Sequence, residues 1–256
     1  FGRVDRLGPD CHPSHHNAGI SEDYMAARFG LTLASMLLAM PAPASETCAR
    51  DAMVVFDGSG SMSEMGFNNL DEPRIFEARK AVRRAMPPIS KRRRLGLIVY
   101  GPGDGDACSS VDLRFPPVRD AAPAIIDAVE TLEPTGETPL TAAVQAAADV
   151  LGYREKPGIV VLVTDGKETC GGEPCALAAE LAKGANLTVH VIGFRVRGEH
   201  FNWDKKGRND YTDATSVASF LADQTGGKYV PAETVYDLVD ALHQTLGCQT
   251  ISEGAV

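Results

Sequence analysis

The sequence predicts an α/β fold: a Rossmann-like, doubly wound, mostly parallel sheet with one antiparallel edge strand and helices on both faces. Three observations predict it. Short, almost uninterrupted apolar runs such as Met53-Val54-Val55-Phe56 and Ile159-Val160-Val161-Leu162-Val163 recur along the chain. Strands without polar alternation are buried on both faces. Helical stretches separate most of these runs, which is the alternation that builds a parallel sheet between helices. One pair of runs, 95–100 and 111–115, has no helical stretch between its members. That pair forms a hairpin, with 111–115 as the antiparallel edge strand.

Taken in order, strands are expected over 52–56, 95–100, 111–115, 159–164, 187–194 and 228–230. Helices are expected over 74–86, 121–131, 140–151, 174–183, 214–225 and 235–246. The basic run Lys91-Arg92-Arg93-Arg94 precedes the second strand and reads as a solvated corner. Gly101-Pro102-Gly103-Asp104-Gly105-Asp106 reads as the hairpin turn. Its glycines echo a phosphate loop, but no helix follows to aim backbone amides at a phosphate. Asp104 and Asp106 read as solvated turn aspartates, with Ca2+ binding as the alternative. Pro139 suits the first turn of the helix over 140–151, and Thr138 suits the capping position before it. The chain shows no internal repeat, low-complexity tract or interdomain linker.

Function concentrates where strands end. Asp57-Gly58-Ser59-Gly60-Ser61 follows the first strand directly. It delivers a carboxylate and two hydroxyls, spaced two residues apart, onto a glycine-rich turn. All are oxygen donors, which suits a hard cation such as Mg2+ better than a soft metal. Gly58 and Gly60 remove side chains that would hold the backbone away from a small ion. A polar turn after a strand has the same composition, so this element alone leaves both readings open. Downstream, Thr138 opens an alanine-rich helix and Asp165-Gly166 ends the strand over 159–164. In open α/β sheets, ligands bind outside the carboxyl ends of the strands where strand order reverses. Asp57 and Asp165 would lie side by side there if the first and fourth strands are neighbours.

On these residues the chain resembles the von Willebrand factor A domain. Asp57, Ser59 and Ser61 match its Asp-x-Ser-x-Ser element, Thr138 its distant threonine and Asp165 its later aspartate. The resemblance spans roughly residues 48–248. It implies a metal-ion-dependent adhesion site built from these five residues and holding Mg2+, with Mn2+ or Ca2+ as alternatives. It further implies that the cation bridges the domain to an acidic residue on a protein ligand. It also implies the same antiparallel edge strand that the apolar pattern predicts.

The 256 residues suffice for one substantial core, and the net charge of −9 argues against a general nucleic-acid binder. From Met25 the sequence reads as a short basic segment, an apolar stretch over 29–40 and Pro41-Ala42-Pro43-Ala44. This is the pattern of an export signal with a small-residue cleavage site. The apolar stretch is too short to span a bilayer comfortably. The expected organisation is an upstream leader over 1–24, a signal peptide over 25–44 and one domain over 45–256. The product would be periplasmic or extracellular, with no integral membrane segment in its mature form. On this reading Cys11, His12, His15 and His16 belong to the leader and form no metal cluster.

Export favours paired cysteines. The mature part would hold five: Cys48, Cys108, Cys170, Cys175 and Cys248. Cys48 and Cys248 bracket the domain and are expected to staple its ends. Cys170 and Cys175 would close a small loop and leave Cys108 free, or Cys108 would bridge to one of them. Connectivity is not fixed by sequence. After the fifth strand, the polar stretch 195–211 holds Phe201 and Trp203, which are candidate partner anchors or loop-packing residues.

Two other function classes are open. Two strands ending in aspartate are also found in haloacid-dehalogenase-type phosphatases, which are Mg-dependent hydrolases. There a second aspartate follows the nucleophile by two residues. Ser59 stands at that position, and a serine does not transfer protons in that way near neutral pH. Nor does the serine-rich turn have G-x-S-x-G spacing. An adaptor subunit of a larger assembly, beside an ATPase, is the third class, and export argues against it.

Overall fold

The computed structural model describes residues 49–65, 72–103, 108–184, 186–194 and 214–248. Six strands form one sheet: β1 (Asp51–Asp57), β2 (Leu95–Tyr100), β3 (Val111–Val118), β4 (Gly158–Thr164), β5 (Leu187–Phe194) and β6 (Tyr229–Ala232). Their order is β3-β2-β1-β4-β5-β6. Every neighbouring pair is parallel except β2 with β3. The helices are α1 (Arg74–Ser90), α2 (Ala122–Glu130), α3 (Leu140–Leu151), α4 (Pro174–Lys183), α5 (Ala214–Gln224) and α6 (Val235–Leu246). This is the doubly wound sheet with one antiparallel edge strand that the sequence predicts.

The two-residue period of a strand divides β1 between two cores. Ala52, Val54 and Phe56 pack with α1, α2 and α6. Met53 and Val55 pack with α3, α4 and Leu221 and Ala222 of α5. All five side chains are buried, and burying each of the larger ones contributes about 1.5–3 kcal/mol. The central strand therefore needs apolar residues on both faces, which is why its sequence lacks polar alternation.

Strand order reverses beside β1. The chain steps outward from β1 to β2 and β3, then returns to lay β4 against the other edge of β1. In register, Phe56 of β1 lies beside Val163 of β4. The carboxyl ends carrying Asp57 and Asp165 therefore meet at the switch point.

Several boundaries differ from the sequence reading. Helix α1 continues past Met86 through Pro87 and Pro88 to Ser90. Its last turn buries Ile89 against the core, which offsets the missing proline amides. Strand β3 continues through Pro116 and Pro117 to Val118. A strand at a sheet edge accepts prolines because its outer amides pair with nothing in the sheet. The basic run after α1 is not wholly solvated. Arg93 is buried, donating from Nε to the Leu246 carbonyl at 2.7 Å and from Nη1 to the Arg50 carbonyl at 2.7 Å. It satisfies a carbonyl at the end of α6 that the helix cannot pair internally. Residues 1–48 lie outside the described residues, so the expected leader, signal peptide and Cys48 do as well. So do Asp104, Asp106, Phe201 and Trp203.

Candidate metal centre

The end of β1 is held by its neighbours before any ion is considered. The Gly58 amide donates to the Tyr100 carbonyl at 2.9 Å, and the Gly58 carbonyl accepts from the Thr135 amide at 3.0 Å. The Gly60 amide donates to the Gly136 carbonyl at 3.0 Å. Gly101 has φ +109° and Gly136 has φ +78°, both in the region that favours glycine. A Cβ on Gly136 would overlap the Gly101 carbonyl, and one on Gly58 would stand 2.9 Å from the Tyr100 carbonyl oxygen. The glycine at 58 therefore serves close packing between rim loops rather than access for an ion. A Cβ on Gly60 would find ordinary space.

Four of the five expected ligand residues form one continuous chain. Ser59 Oγ donates to Asp57 Oδ1 at 2.6 Å, and the Ser59 amide donates to the same oxygen at 2.9 Å. Ser59 Oγ and Ser61 Oγ are 3.1 Å apart. Ser61 Oγ donates to Asp165 Oδ1 at 2.5 Å. Asp57 is fully buried and Asp165 nearly so.

The fifth, Thr138, is buried on the adjoining loop, two residues after the Gly136 that receives the Gly60 amide. It lies one residue before the capping position, which Pro139 occupies, and makes no side-chain cap. Among the described residues its hydroxyl has no hydrogen-bond partner, so helix capping does not account for it.

Sequence reasoning missed the residues that set this geometry. Thr164 Oγ1 donates to Asp57 Oδ2 at 2.7 Å, fixing the second oxygen of the carboxylate. Thr169 holds the Thr138 backbone on both sides, accepting its amide at 2.9 Å and donating to its carbonyl at 3.2 Å. Glu168 supplies the cap that proline cannot: Oε2 accepts the Thr141 amide at 2.7 Å, and Oε1 accepts the Cys170 amide at 2.8 Å. The run Thr164-Asp165-Gly166-Lys167-Glu168-Thr169 carries all three, and its density of oxygen donors was the available signal. Arg74, the first residue of α1, donates from Nη1 to Asp165 Oδ2 at 2.8 Å and to the Ser61 carbonyl at 3.3 Å. No sequence signal joins residues 91 positions apart.

Electrostatics follow from crowding two carboxylates in a dry site. Burial, and then repulsion from Asp57, pushes Asp165 up to about 6, with Ser61 and Arg74 offsetting part of the rise. The Tyr100 hydroxyl is buried beside Asp57 and Thr164. Burial, followed by the Asp57 charge, holds this phenol well above its ordinary range.

Among the described residues no group of three or more His, Cys, Asp or Glu side chains could hold a metal. A metal here must draw on hydroxyls as well as on the two carboxylates. The donor set fits a hard ion. Ligands about 2.0–2.1 Å from an octahedral Mg2+ lie roughly 2.9 Å from one another. The oxygens of Asp57, Ser59, Ser61 and Asp165 follow one another at 2.5–3.1 Å.

Cys108, after the β2 end, is disulfide-bonded to Cys170, after the β4 end. The small loop between Cys170 and Cys175 is therefore not formed, and Cys108 is not free. Cys175 and Cys248 are each in a disulfide as well. No described cysteine is free, so the expected odd thiol is absent there. The other expected arrangement, a bridge from Cys108 to Cys170 or Cys175, is the one that forms, and it ties two rim loops together beside the Thr169 that holds Thr138.

A mostly parallel sheet whose strand order reverses at β1, with an Asp-x-Ser-x-Ser turn facing a second aspartate, defines a von Willebrand-type domain. The chain belongs to the von Willebrand factor type A domain family, whose model matches residues 52–168. It is 30% identical over 220 residues to YwmD of Bacillus subtilis, an uncharacterized protein, covering 82% of this chain and 91% of that one. An aerotolerance-related membrane protein from Bacteroides fragilis shares the fold with a TM-score of 0.55 at 20% identity, covering 77% of this chain and 98% of that one. Proximal thread matrix protein 1 from the mussel byssus, with a zinc-occupied adhesion motif, does so with a TM-score of 0.50 at 18% identity, covering 78% and 46%.

Proposed function

We propose that the chain is a divalent-cation-dependent protein-binding module and not an enzyme. One observation carries this reading: two buried carboxylates from adjacent strands are joined through two serine hydroxyls at the switch point of the sheet. Among the described residues Asp57 has no ion-pair partner, and a buried charge is costly unless paired or metal-bound. Asp57, Ser59, Ser61, Thr138 and Asp165 would hold the ion, some of them through water. Mg2+ suits the all-oxygen set, and Mn2+ or Ca2+ are the alternatives. The zinc-occupied motif of the mussel protein supports metal binding at this place in the fold. The partner would be a protein that presents an acidic residue to the ion.

The disulfide between Cys108 and Cys170 supports an oxidising compartment, periplasmic or extracellular. Among the described residues no helix is long and apolar enough to cross a membrane. The signal peptide over 25–44 and the domain over 45–256 remain part of this proposal. Phe201 and Trp203 are proposed as secondary anchors for the partner.

The test is calorimetric titration of Mg2+ and Mn2+ into the wild-type chain and Asp57→Ala. Saturable binding lost in the variant is the expected result. Equal binding by both proteins refutes the site.

A further inference from the structure

We propose that Arg74 is a tethered counter-ion of this centre: it competes with the divalent cation for Asp165 and biases the loaded site toward an anionic ligand. The inference rests on the metal-site reading above and goes beyond it, since Arg74 is neither a metal ligand nor part of the Asp-x-Ser-x-Ser element.

Three observations carry it. First, the position is unfavourable for helix stability. Arg74 opens α1, and a cation at a helix N-terminus opposes the helix dipole. The first turn of α1 also holds a buried acid, Glu77, but the ion pairs of Arg74 reach outside the helix. Second, the buried partner is Asp165. The Arg74 side chain is only 12% exposed and the Asp165 side chain 0%, with Nη1 and Oδ2 2.8 Å apart. The alternative partner, Glu64, is 65% exposed and 3.4 Å away, so its charge is largely screened by water. Third, the guanidinium is not fully used. Its Nε is buried with no hydrogen-bond partner among the described residues, so only Nη1 and Nη2 carry the ion pairs.

The charge balance gives the consequence. Asp57 and Asp165 alone would cancel a divalent cation and leave the loaded centre neutral. Arg74 changes both states. The empty centre has a net charge of −1, which weakens its attraction for the cation. The loaded centre has +1, which strengthens its attraction for a carboxylate. Arg74 therefore trades affinity for the metal against affinity for the metal-bridged ligand. Opposite signs for the two effects distinguish this role from a merely structural one.

The test compares full-length wild type, Arg74→Gln, Arg74→Lys and Asp57→Ala. Mn2+ affinity is measured by calorimetry, with and without acetate as the carboxylate probe. The expected result is Mn2+ binding at least about tenfold tighter in Arg74→Gln, since removing one positive charge next to the site strengthens cation binding at any plausible dielectric. Arg74→Lys stays near wild type. Acetate tightens Mn2+ binding less in Arg74→Gln than in wild type.

Equal or weaker Mn2+ binding by Arg74→Gln, with Asp57→Ala inactive, overturns the Arg74 proposal and leaves the metal site standing. Mn2+ binding that Asp57→Ala retains overturns both. A second readout needs no variant: the Arg74 Nε–H resonance of the wild type should shift on Mn2+-free Mg2+ titration. An unchanged resonance at saturation also overturns the proposal.

Discussion

Gly101→Ala should damage the proposed metal centre without touching any of its proposed ligands. Gly101 follows β2 with φ +109°, and a Cβ there would stand 2.5 Å from the Gly58 carbonyl carbon, 2.5 Å from the Ser59 nitrogen and 2.6 Å from the Gly58 oxygen. All three are backbone atoms, so no side chain can rotate away. Ordinary carbon contacts lie at about 3.5–4.0 Å, so one loop must retreat by about 1 Å. The strained dihedral costs of order 1–3 kcal/mol by itself. Displacing packed backbone brings the total to about 3–5 kcal/mol, the range of severe single substitutions.

The loop that moves carries Ser59, and metal sites tolerate distance errors of only about 0.2 Å. Mn2+ affinity should therefore fall by at least about a hundredfold. Gly152→Ala is the control. Gly152 also has positive φ, +64°, at the end of α3, but nothing lies within 4 Å of its added Cβ. It should cost about 1 kcal/mol, the left-handed penalty alone, and leave Mn2+ binding unchanged. Urea unfolding gives the stability of both variants, and calorimetry gives their affinity. If Gly101→Ala matches Gly152→Ala in either measurement, the interlocked-loop account is wrong.

Three further outcomes are expected. Replacing Cys108 and Cys170 together by serine releases a crosslink across 62 residues; it should cost up to about 4 kcal/mol on the loop-entropy relation and weaken Mn2+ binding through Thr169 and Thr138, and unchanged Mn2+ affinity would disconnect the bond from the site. Burial, aided by Lys228, lowers His190 to about 4, and its Nδ1 accepts the Lys228 amide at 3.1 Å. Between pH 6.5 and 4 the unfolded imidazole therefore holds more protons than the folded one. Stability should be full above pH 6.5 and fall by less than about 3 kcal/mol toward pH 4, and His190→Gln, by urea unfolding at pH 7.5 and 5, should lose part of that dependence. Arg93→Met should cost about 2–4 kcal/mol in urea unfolding, because it strands the buried carbonyl of Leu246 and the part-buried one of Arg50; a cost below about 1 kcal/mol would mean that water replaces the guanidinium.

What the sequence displayed was local. Continuous apolar runs such as Met53–Phe56 announced a strand buried on both faces, and the missing helix between β2 and β3 announced the hairpin. Asp57, Ser59 and Ser61 were legible because one short turn holds them, and Asp165 because it ends a strand. What stayed hidden depends on residues distant in the chain. Arg74 finds Asp165 only once β4 lies beside β1. Thr169 and Glu168 show their use only when the loop after β4 folds over the start of α3. A bridge from Cys108 to Cys170 or Cys175 was one of two alternatives, and only the proximity of two rim loops, which no spacing encodes, selects Cys170. Prolines misled the element ends in α1 and β3, since a last helical turn and an edge strand forgive a missing amide where an interior position does not.

The two prolines of β3 have a meaning beyond the length of that strand. An outermost strand exposes a row of amides and carbonyls on which another molecule's strand can add, and proline interrupts that row. Pro116 and Pro117 lie consecutively in β3, and its register with β2 shifts between Leu95 and Leu97 and again between Leu97 and Ile98. A flank that is both short of donors and locally irregular is a poor template for stacking copies side by side. At high local concentration this molecule is therefore guarded on its β3 flank against polymerising through its sheet, and self-association there would have to proceed through side chains instead of backbone.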